Sequence, residues 1–597
     1  MHRVFVGGLT LVAALSSSSA IAAQSPDAAA PVIVPPASAT AIVATDVAVT
    51  LGSVRIVVPR LEARGTELTR ERLTVLLDPS SSLSLSERLD SLTAASLTAA
   101  RVEIAPREGQ GSPIVLSDIA LTDVMKGRVG SLSVGKVTIE QHSSASTGSA
   151  ALGPVSATAL DLPLAVSMAQ SHRSDAAEPV RLLIGSLSTG GMAIHTSDGT
   201  DVAVGDIALA GLRGRAPLRP YAELLPLRHK PEGMLTPEDR RQLAEAAVDA
   251  TGSVALDHLA LERVATAEAT GSDRFRMARL VLDDVSPARI GSWAIDDVDL
   301  VADDTTTIAL RHFALHGPDE SILLAYLARS FASGDGVAQR EPMPRLPPQD
   351  GSMAIVDLRI SIPSQGTPGN SADGVRDEIT IPVASASTTT EASGAMIGTS
   401  QIGFDYALPK PEVLPQADLL HAGGIDTLHA GLDWRVSFDQ AARELRLGRF
   451  AVSAEKLGSL ATTLTLGHLP VAVPAGGGGE ASGAATRAIT LREAGFTFTN
   501  AGIVELTLPA LAASAQTSLP LFKAGLKTEA ELTIGRLLGT SPTASRLVAA
   551  VDAFIDDPKT FTLKIEAPEG LTIGEIQDAP DPTTLLDRLG IEATANR

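Results

Sequence analysis

Two stretches of the chain, 119–139 (IALTDVMKGRVGSLSVGKVTI) and 280–300 (LVLDDVSPARIGSWAIDDVDL), align with each other without a gap. Seven of their 21 residues are identical, and both alternate apolar and polar residues on either side of a Gly-Ser step. Such alternation is typical of two half-buried strands joined by a turn. A fainter third copy repeats Val452 and residues 456–459. The chain is therefore predicted to contain tandem copies of one supersecondary unit.

The Gly-Ser step of each copy is predicted to be a structural turn, formed by Gly130, Ser131, Gly291, Ser292, Gly458 and Ser459. Glycine would supply a bulge or a positive φ, and serine could bond to nearby backbone. A ligand-binding glycine turn is the alternative, but a repeated strand entry explains the pattern without a ligand. We expect Gly130→Val and Gly291→Val to destabilise the fold.

A short helical pattern precedes each copy, at 86–94, from Thr236 to about 248, and at 415–422, and a strand follows each helix. The predicted unit is one helix and three strands, in which the helix covers one face of the meander. The predicted fold class is α+β and dominated by β-structure. Tandem repeats of a helix plus an antiparallel β-meander would form an elongated, repetitive sheet.

The chain divides into six predicted segments. Residues 1–23 have the cation, the short apolar run and the small residues of a signal peptide, although a retained membrane anchor is an alternative. A Pro/Ala-rich leader follows at 24–41, then repeat units at 42–217, 218–411 and 412–540, and a helix–strand–helix cap at 541–597 whose last helix would begin at Asp581 and end before Gly590. We expect a periplasmic or extracellular protein with no transmembrane span after signal cleavage.

Composition argues against several function classes. The 597 residues include 69 acidic and 48 basic side chains, a net charge of −21, which disfavours binding to nucleic acid. With no cysteine, disulfides and cysteine-based zinc sites are excluded. Neither a phosphate-binding loop nor a serine nucleophile elbow is found. We therefore expect no catalytic residue and no cofactor, and a periplasmic hydrolase is the less favoured alternative.

Metal binding has only weak candidates. Asp297 and Asp299 would share a strand face within the densest acidic cluster, but no glycine shapes a calcium loop there. The close histidine pairs, His312 with His316 and His421 with His429, have no evident third ligand. We expect a solvated acidic edge and no metal site.

One predicted strand carries a run of alternating large apolar residues, Leu432, Trp434, Val436 and Phe438. They would all lie on one face, which could be either a ligand-binding face or part of the core. Alternation looks the same in both cases, and packed core is the more common outcome for such a run.

The segments LTAARVEI (97–104) and LRLGRFAVSAEKLGSLATTLTL (445–466), together with the signal segment and the Ala-rich composition, resemble AsmA-like bacterial envelope proteins. The resemblance implies long repetitive β-sheets and a role in lipid traffic or outer-membrane biogenesis. Our hypothesis is an exported, non-enzymatic β-repeat protein of the cell envelope that binds an apolar ligand such as lipid, or an envelope partner. A structural or adhesive scaffold is the alternative.

Overall fold

The computed structural model describes residues 41–596 except for some segments. The longer ones are 318–349, 364–375, 409–416 and 470–485; the shorter ones are 52–53, 78–82, 107–112, 143–146, 176, 197–198, 220–223, 225–226, 228–229, 231–233, 269–272, 287–288, 303–304, 580–583 and 586–587. The predicted signal peptide and nearly all of the predicted leader lie outside the described residues.

The described part of the chain is dominated by antiparallel β-structure, with 25 strands and a smaller helical component. This confirms the predicted fold class. Two compact units divide the chain: unit 1 is Met1–Asp304 with His316–Leu346, and unit 2 is Thr305–Leu315 with Pro347–Arg597. The predicted repeat boundaries describe a periodicity of the sequence, and they stay a prediction.

The strands of unit 1 are β1 (Ile42–Leu51), β2 (Val54–Arg64), β3 (Ala94–Pro106), β4 (Ile114–Met125), β5 (Arg128–Val134), β6 (Lys136–His142), β7 (Thr147–Leu152), β8 (Val155–Asp161), β9 (Arg181–Thr189), β10 (Met192–His195), β11 (Thr200–Val204), β12 (Ile207–Gly214), β13 (Val254–Glu268), β14 (Arg274–Val285) and β15 (Ser292–Ala302). Its helices are α1 (Arg70–Leu77), α2 (Leu85–Leu89), α3 (Leu162–Gln170) and α4 (Pro237–Thr251).

The middle of this sheet is built from long strands that are each broken in two. β4 pairs with both β5 and β6, and β13 pairs with both β12 and β11. Between β4 and β13 the short strands lie in two rows side by side, β5–β8–β9–β12 and β6–β7–β10–β11, and within each row they pair antiparallel. The breaks fall at Gly135, Gly153-Pro154, Gly190-Gly191 and Gly205-Asp206. Backbone bonds bridge them, such as Gly135 N to Ser117 O at 2.9 Å, so the sheet stays continuous.

The first nine strands of unit 1 enclose a closed hydrophobic core. Leu73 of α1, Leu85 of α2 and Leu164 of α3 are buried against it. Ile184 and Leu187 of β9 have no accessible surface. Here three helices share one core with nine strands, whereas the predicted unit has one helix over three strands.

Unit 2 contains β16 (Thr306–His316, of which the last residue is assigned to unit 1), β17 (Gly351–Pro363), β18 (Arg376–Thr390), β19 (Met396–Ala407), β20 (Thr427–Asp439), β21 (Glu444–Ala454), β22 (Gly458–Gly467), β23 (Thr490–Asn500), β24 (Thr560–Thr572) and β25 (Gly590–Ala595). Strands β17 to β25 pair in chain order. The helices are α5 (Ala417–Ala422), α6 (Ile503–Ser514), α7 (Leu519–Leu538), α8 (Pro542–Asp556) and α9 (Ile573–Asp578).

The two aligned stretches, which are offset by 161 residues in the chain, form equivalent hairpins, β4–β5 and β14–β15. Thr122 faces Ser131 in the first and Asp283 faces Ser292 in the second. The serine Oγ lies 2.7 Å from Thr122 Oγ1 in one copy, and donates to Asp283 Oδ2 at 3.3 Å in the other. The serines therefore bond across strands to side chains, and not to backbone as predicted.

The reason for the repeated glycine also differs from the prediction. Positive φ belongs to the facing aspartates, Asp123 (φ 53°) and Asp284 (φ 51°), and not to Gly130 or Gly291. A Cβ on Gly130 would lie 2.7 Å from Asp123 Cβ, and one on Gly291 would lie 2.5 Å from Asp284 Cβ. Aspartate tolerates this backbone better than most residues, and the glycine makes room for its side chain. In the third copy the positive φ, 143°, is on Gly458 itself.

The end of the chain corrects the predicted helix–strand–helix cap. α8 (Pro542–Asp556) is the first helix of the predicted cap, with Ser541 Oγ accepting from Ala544 N at 3.1 Å. The difference is an additional strand: Gly590 begins β25, which pairs with β24 and is absent from the predicted cap. The helix predicted from Asp581 lies largely outside the described residues.

Candidate functional site

The four predicted ligand-face residues, Leu432, Trp434, Val436 and Phe438, lie along β20 in unit 2. All four are partly exposed, so this face is not the closed core that such alternation usually signals. The Trp434 ring lies over Gly398 of β19, where the missing side chain leaves room for it. A Cβ on Gly398 would lie 3.3 Å from Trp434 Cζ3.

The register between β20 and β21 places apolar residues of β21 on the same face of the sheet. Leu432 faces Val452 and Trp434 faces Phe450, while Val436 faces Leu447. The spacing from 450 to 447 reflects a bulge at this point of β21. Because two β21 residues oppose one on β20 there, the apolar side chains stay on one side through the irregularity.

The face then continues across β22, β23 and β24. In register order, its facing pairs are Val452–Leu460, Phe450–Thr462, Leu460–Phe498, Thr462–Phe496, Phe498–Phe561 and Phe496–Leu563. Phe450 and Phe496 are each 38% exposed and Val452 is 43% exposed. Large apolar side chains in the middle of a sheet are usually covered, so this exposure marks an open apolar surface.

The opposite face of the same strands is polar. Arg449 Nε lies 2.6 Å from Asp433 Oδ1, and His429 Nδ1 lies 2.7 Å from Asp405 Oδ1. Strand residues alternate between faces, so this sheet has one wetted side and one apolar side.

Helix α8 covers only one end of the apolar face. The Phe554 ring packs edge-on against Phe498 and Phe561, with centroids 5.8 and 5.9 Å apart. Towards β20 and β21 the strand side chains stay half-exposed, so the face opens away from the helix.

A shallow cavity of about 430 Å³ lies beside the His429–Asp405 pair. A row of facing small residues crosses its floor, from Gly403 and Gly431 to Ser453, Ser459 and Thr499. No sequence motif indicates this pair, because Asp405 lies 24 residues from His429 and only strand register joins them. His421, the other histidine of this close pair, bonds Asp426 Oδ1 at 3.0 Å, so the two histidines bond different carboxylates.

The weak metal candidates have a structural explanation. Asp297 has a positive φ of 48° within β15, as do Asp46, Asp118 and Asp357 within their strands. A left-handed backbone position accounts for aspartate there without a metal. Across the described residues, no three histidine or acidic side chains are grouped closely enough to hold a metal ion.

Among the helices in the described ranges, none combines the length and hydropathy needed to span a bilayer.

Comparison with known proteins gives one match. A family model described as "Uncharacterized protein" matches residues 451–596, which run from β21 to the end of β25. No curated protein and no solved structure matches the chain. The match links the C-terminal quarter to a family of unknown function and shows no link to the AsmA-like proteins.

Proposed function

We propose that this chain is an exported, non-enzymatic β-repeat protein of the bacterial cell envelope that binds an apolar ligand of the acyl-chain type on the open strand face of unit 2. The observation that carries the proposal is the contiguous, half-exposed apolar surface on β20 to β23. A ligand with long hydrocarbon chains would bury this surface at about 25 cal/mol per Å² of apolar area. The AsmA-like resemblance is consistent with the same ligand class.

Two adjacent threonines of β22 provide a matched test. Thr462 lies on the apolar face between Phe450 and Phe496, whereas Thr463 faces Gly495 on the polar side. Thr462→Asp would place a carboxylate under a bound hydrocarbon chain, and Thr463→Asp would place the same group on the opposite, polar face of the strand. Both variants put aspartate at neighbouring positions of one strand, so their effects on strand propensity should be similar.

The measurement is titration with a fluorescent fatty acid, together with native mass spectrometry of protein purified without detergent. We expect the parent and Thr463→Asp to bind alike, and Thr462→Asp to bind about tenfold more weakly or worse. A parent that neither binds the probe nor carries lipid would refute the proposal. Equal losses in the two variants would also refute it, because the face would then have no special role.

Export is part of the proposal and has its own test. The order of Arg3, the apolar run and the small residues before residue 24 supports a cleaved signal peptide. We expect N-terminal sequencing of the periplasmic or secreted protein to start near Ala23 or Gln24. Protein that still begins at Met1 would contradict this.

A structural scaffold remains the second candidate, and one observation favours it for part of the chain. The strands from β1 to β9 have their apolar side closed by α1, α2 and α3. Among the residues described there, Leu73, Leu85 and Leu164 of these helices are buried in one core with the strands, and a supporting role would suffice for that part of unit 1. If Thr462→Asp and Thr463→Asp both left an envelope phenotype intact, scaffolding would be the better account.

A further inference from the structure

We propose that the polar face of β20 and β21 binds the phosphate group of a soluble ligand between Arg435 and Arg449. The two strands pair within unit 2. Their polar face is the opposite side of the sheet from the open apolar surface, so this inference does not depend on the apolar ligand proposed above.

The two arginines face each other across the strand pair. Arg435 of β20 is in register with Arg449 of β21, and both side chains are exposed. Directly opposed strand residues have Cβ atoms about 4.5–5.5 Å apart, and like charges at that distance are destabilising. With the described residues, the Arg435 side chain makes no ion pair or hydrogen bond. The facing pair is therefore an unfavourable arrangement that a bound anion would relieve.

A β-bulge brings Arg449 to this face. Val436 faces Leu447, so an unbroken register would continue with Arg435 facing Gly448. Arg449 would then lie on the apolar side of the sheet. The extra residue in β21 instead places Arg449 opposite Arg435. The irregularity of this strand thus creates the arginine pair.

The residues around the pair leave it an excess of positive charge. Asp433 lies two residues before Arg435 on the same face, and its Oδ1 lies 2.6 Å from Arg449 Nε. Thr399 faces Arg435 from β19, and Ser437 follows it on β20. Among these neighbours one carboxylate serves two guanidinium groups, in a chain whose net charge is −21.

Two more arginines adjoin the pair. Arg446 lies on the same face of β21, and its Nε bonds Glu444, whose Oε2 lies 2.8 Å from Arg492 Nη1. The Glu444 side chain is 9% exposed, whereas the two arginines are 66% and 47% exposed. This carboxylate fixes both guanidinium groups and neutralises one of them. The next acidic residue along this face, Asp439, accepts from Ala442 N at 2.9 Å in the turn that joins the strands.

The arrangement matches a phosphate group better than a carboxylate. One guanidinium can bind both oxygens of a carboxylate. A phosphate monoester has three terminal oxygens and nearly two negative charges at neutral pH, so it can bind a guanidinium from each strand at once. A soluble ligand fits better than a membrane lipid, because an anionic bilayer would repel a chain with a net charge of −21.

The test is isothermal titration of the full chain with inorganic phosphate at neutral pH, with acetate titrated at the same low ionic strength. The site variant is Arg435→Gln. The matched control is Arg359→Gln, which removes the same charge from a 59% exposed arginine of β17 in unit 2. We expect the parent and the control to bind phosphate alike, and Arg435→Gln to bind at least about fivefold more weakly. Asp433→Asn should bind more tightly than the parent, because it removes the carboxylate that competes for Arg449.

Thermal melting separates binding from a structural role. Without phosphate, Arg435→Gln should melt at or above the temperature of the parent, because the like-charge pair is gone. Earlier melting would show that Arg435 supports the fold, and it would overturn the proposal. A parent that binds no phosphate, equal losses in Arg435→Gln and Arg359→Gln, or acetate binding as tight as phosphate binding would also overturn it. If the parent instead floats with vesicles of phosphatidylcholine and phosphatidic acid, and Arg435→Gln does not, the arginines bind a lipid headgroup and the soluble ligand is wrong.

Discussion

Gly291 and Asp284 face each other in unit 1, and the distance between them predicts how much a side chain at residue 291 would destabilise the fold. A Cβ on residue 291 would lie 2.5 Å from Asp284 Cβ and 3.0 Å from the Asp283 carbonyl oxygen. Carbon atoms pack best at about 3.5–4.0 Å, so the overlap is about 1 Å. The Asp284 Cβ cannot rotate away, because its place is fixed by backbone at φ 51°.

The strands must therefore separate locally when residue 291 gains a side chain. Overpacking of this kind costs about 1–3 kcal/mol. Replacing glycine in a strand returns about 0.5–1 kcal/mol of backbone entropy, so Gly291→Ala should cost about 1–2 kcal/mol net. Gly291→Val adds two methyl groups against the same obstacle and should cost about 2–4 kcal/mol.

The assay is thermal unfolding of the full chain, with Asp284→Gly as the second arm of a double-mutant cycle. Glycine at 284 keeps the left-handed backbone and removes the obstructing Cβ. In that background Gly291→Ala should be milder by about 1 kcal/mol or more. An equal loss in both backgrounds would refute the steric argument, as would a Gly291→Ala variant that melts like the parent. Gly130→Ala should show the same dependence on Asp123, because a Cβ on Gly130 would lie 2.7 Å from Asp123 Cβ.

Three further predictions concern other parts of the chain. Trp434→Asp should keep the far-UV circular dichroism spectrum and lose co-purified lipid, because the ring is only partly buried; unfolding would mean a core position. Arg173→Met should lower thermal stability by about 3–5 kcal/mol, because it strips Asp249 of its buried partner; an unchanged melt would contradict this. Hydrogen bonds from Arg588, and then from the Thr572 backbone and hydroxyl, lower the pKa of Glu575 from 4.5 to about 2. Their stabilisation is complete above about pH 4.5 and is lost as pH falls towards 2, so Glu575→Gln should flatten the dependence of melting temperature on pH in that window; an unaltered slope would be evidence against these bonds.

Local signals in the sequence determined much of the secondary structure. Thr236 and Asp239 exchange capping bonds, with Asp239 N donating to Thr236 Oγ1 at 3.1 Å and Thr236 N to Asp239 Oδ2 at 2.9 Å, and α4 begins at Pro237 as its residues predict. The Ser541-Pro542 step likewise begins α8. These features succeed because a cap needs only residues within one turn of each other.

The sequence also determined which side chains share a face, because side chains of a strand alternate with a fixed period of two. Leu432, Trp434, Val436 and Phe438 could thus be grouped correctly from their spacing. It could not determine that Asp123 and Asp284, and not the facing glycines, would take positive φ, since that depends on how two strands meet. Only the tertiary structure decided that α1, α2 and α3 close the apolar side of the first strands while β20 and β21 stay half-exposed. Alternation fixes the direction of a side chain, but its burial depends on whether another layer packs over it, and that layer is distant in sequence.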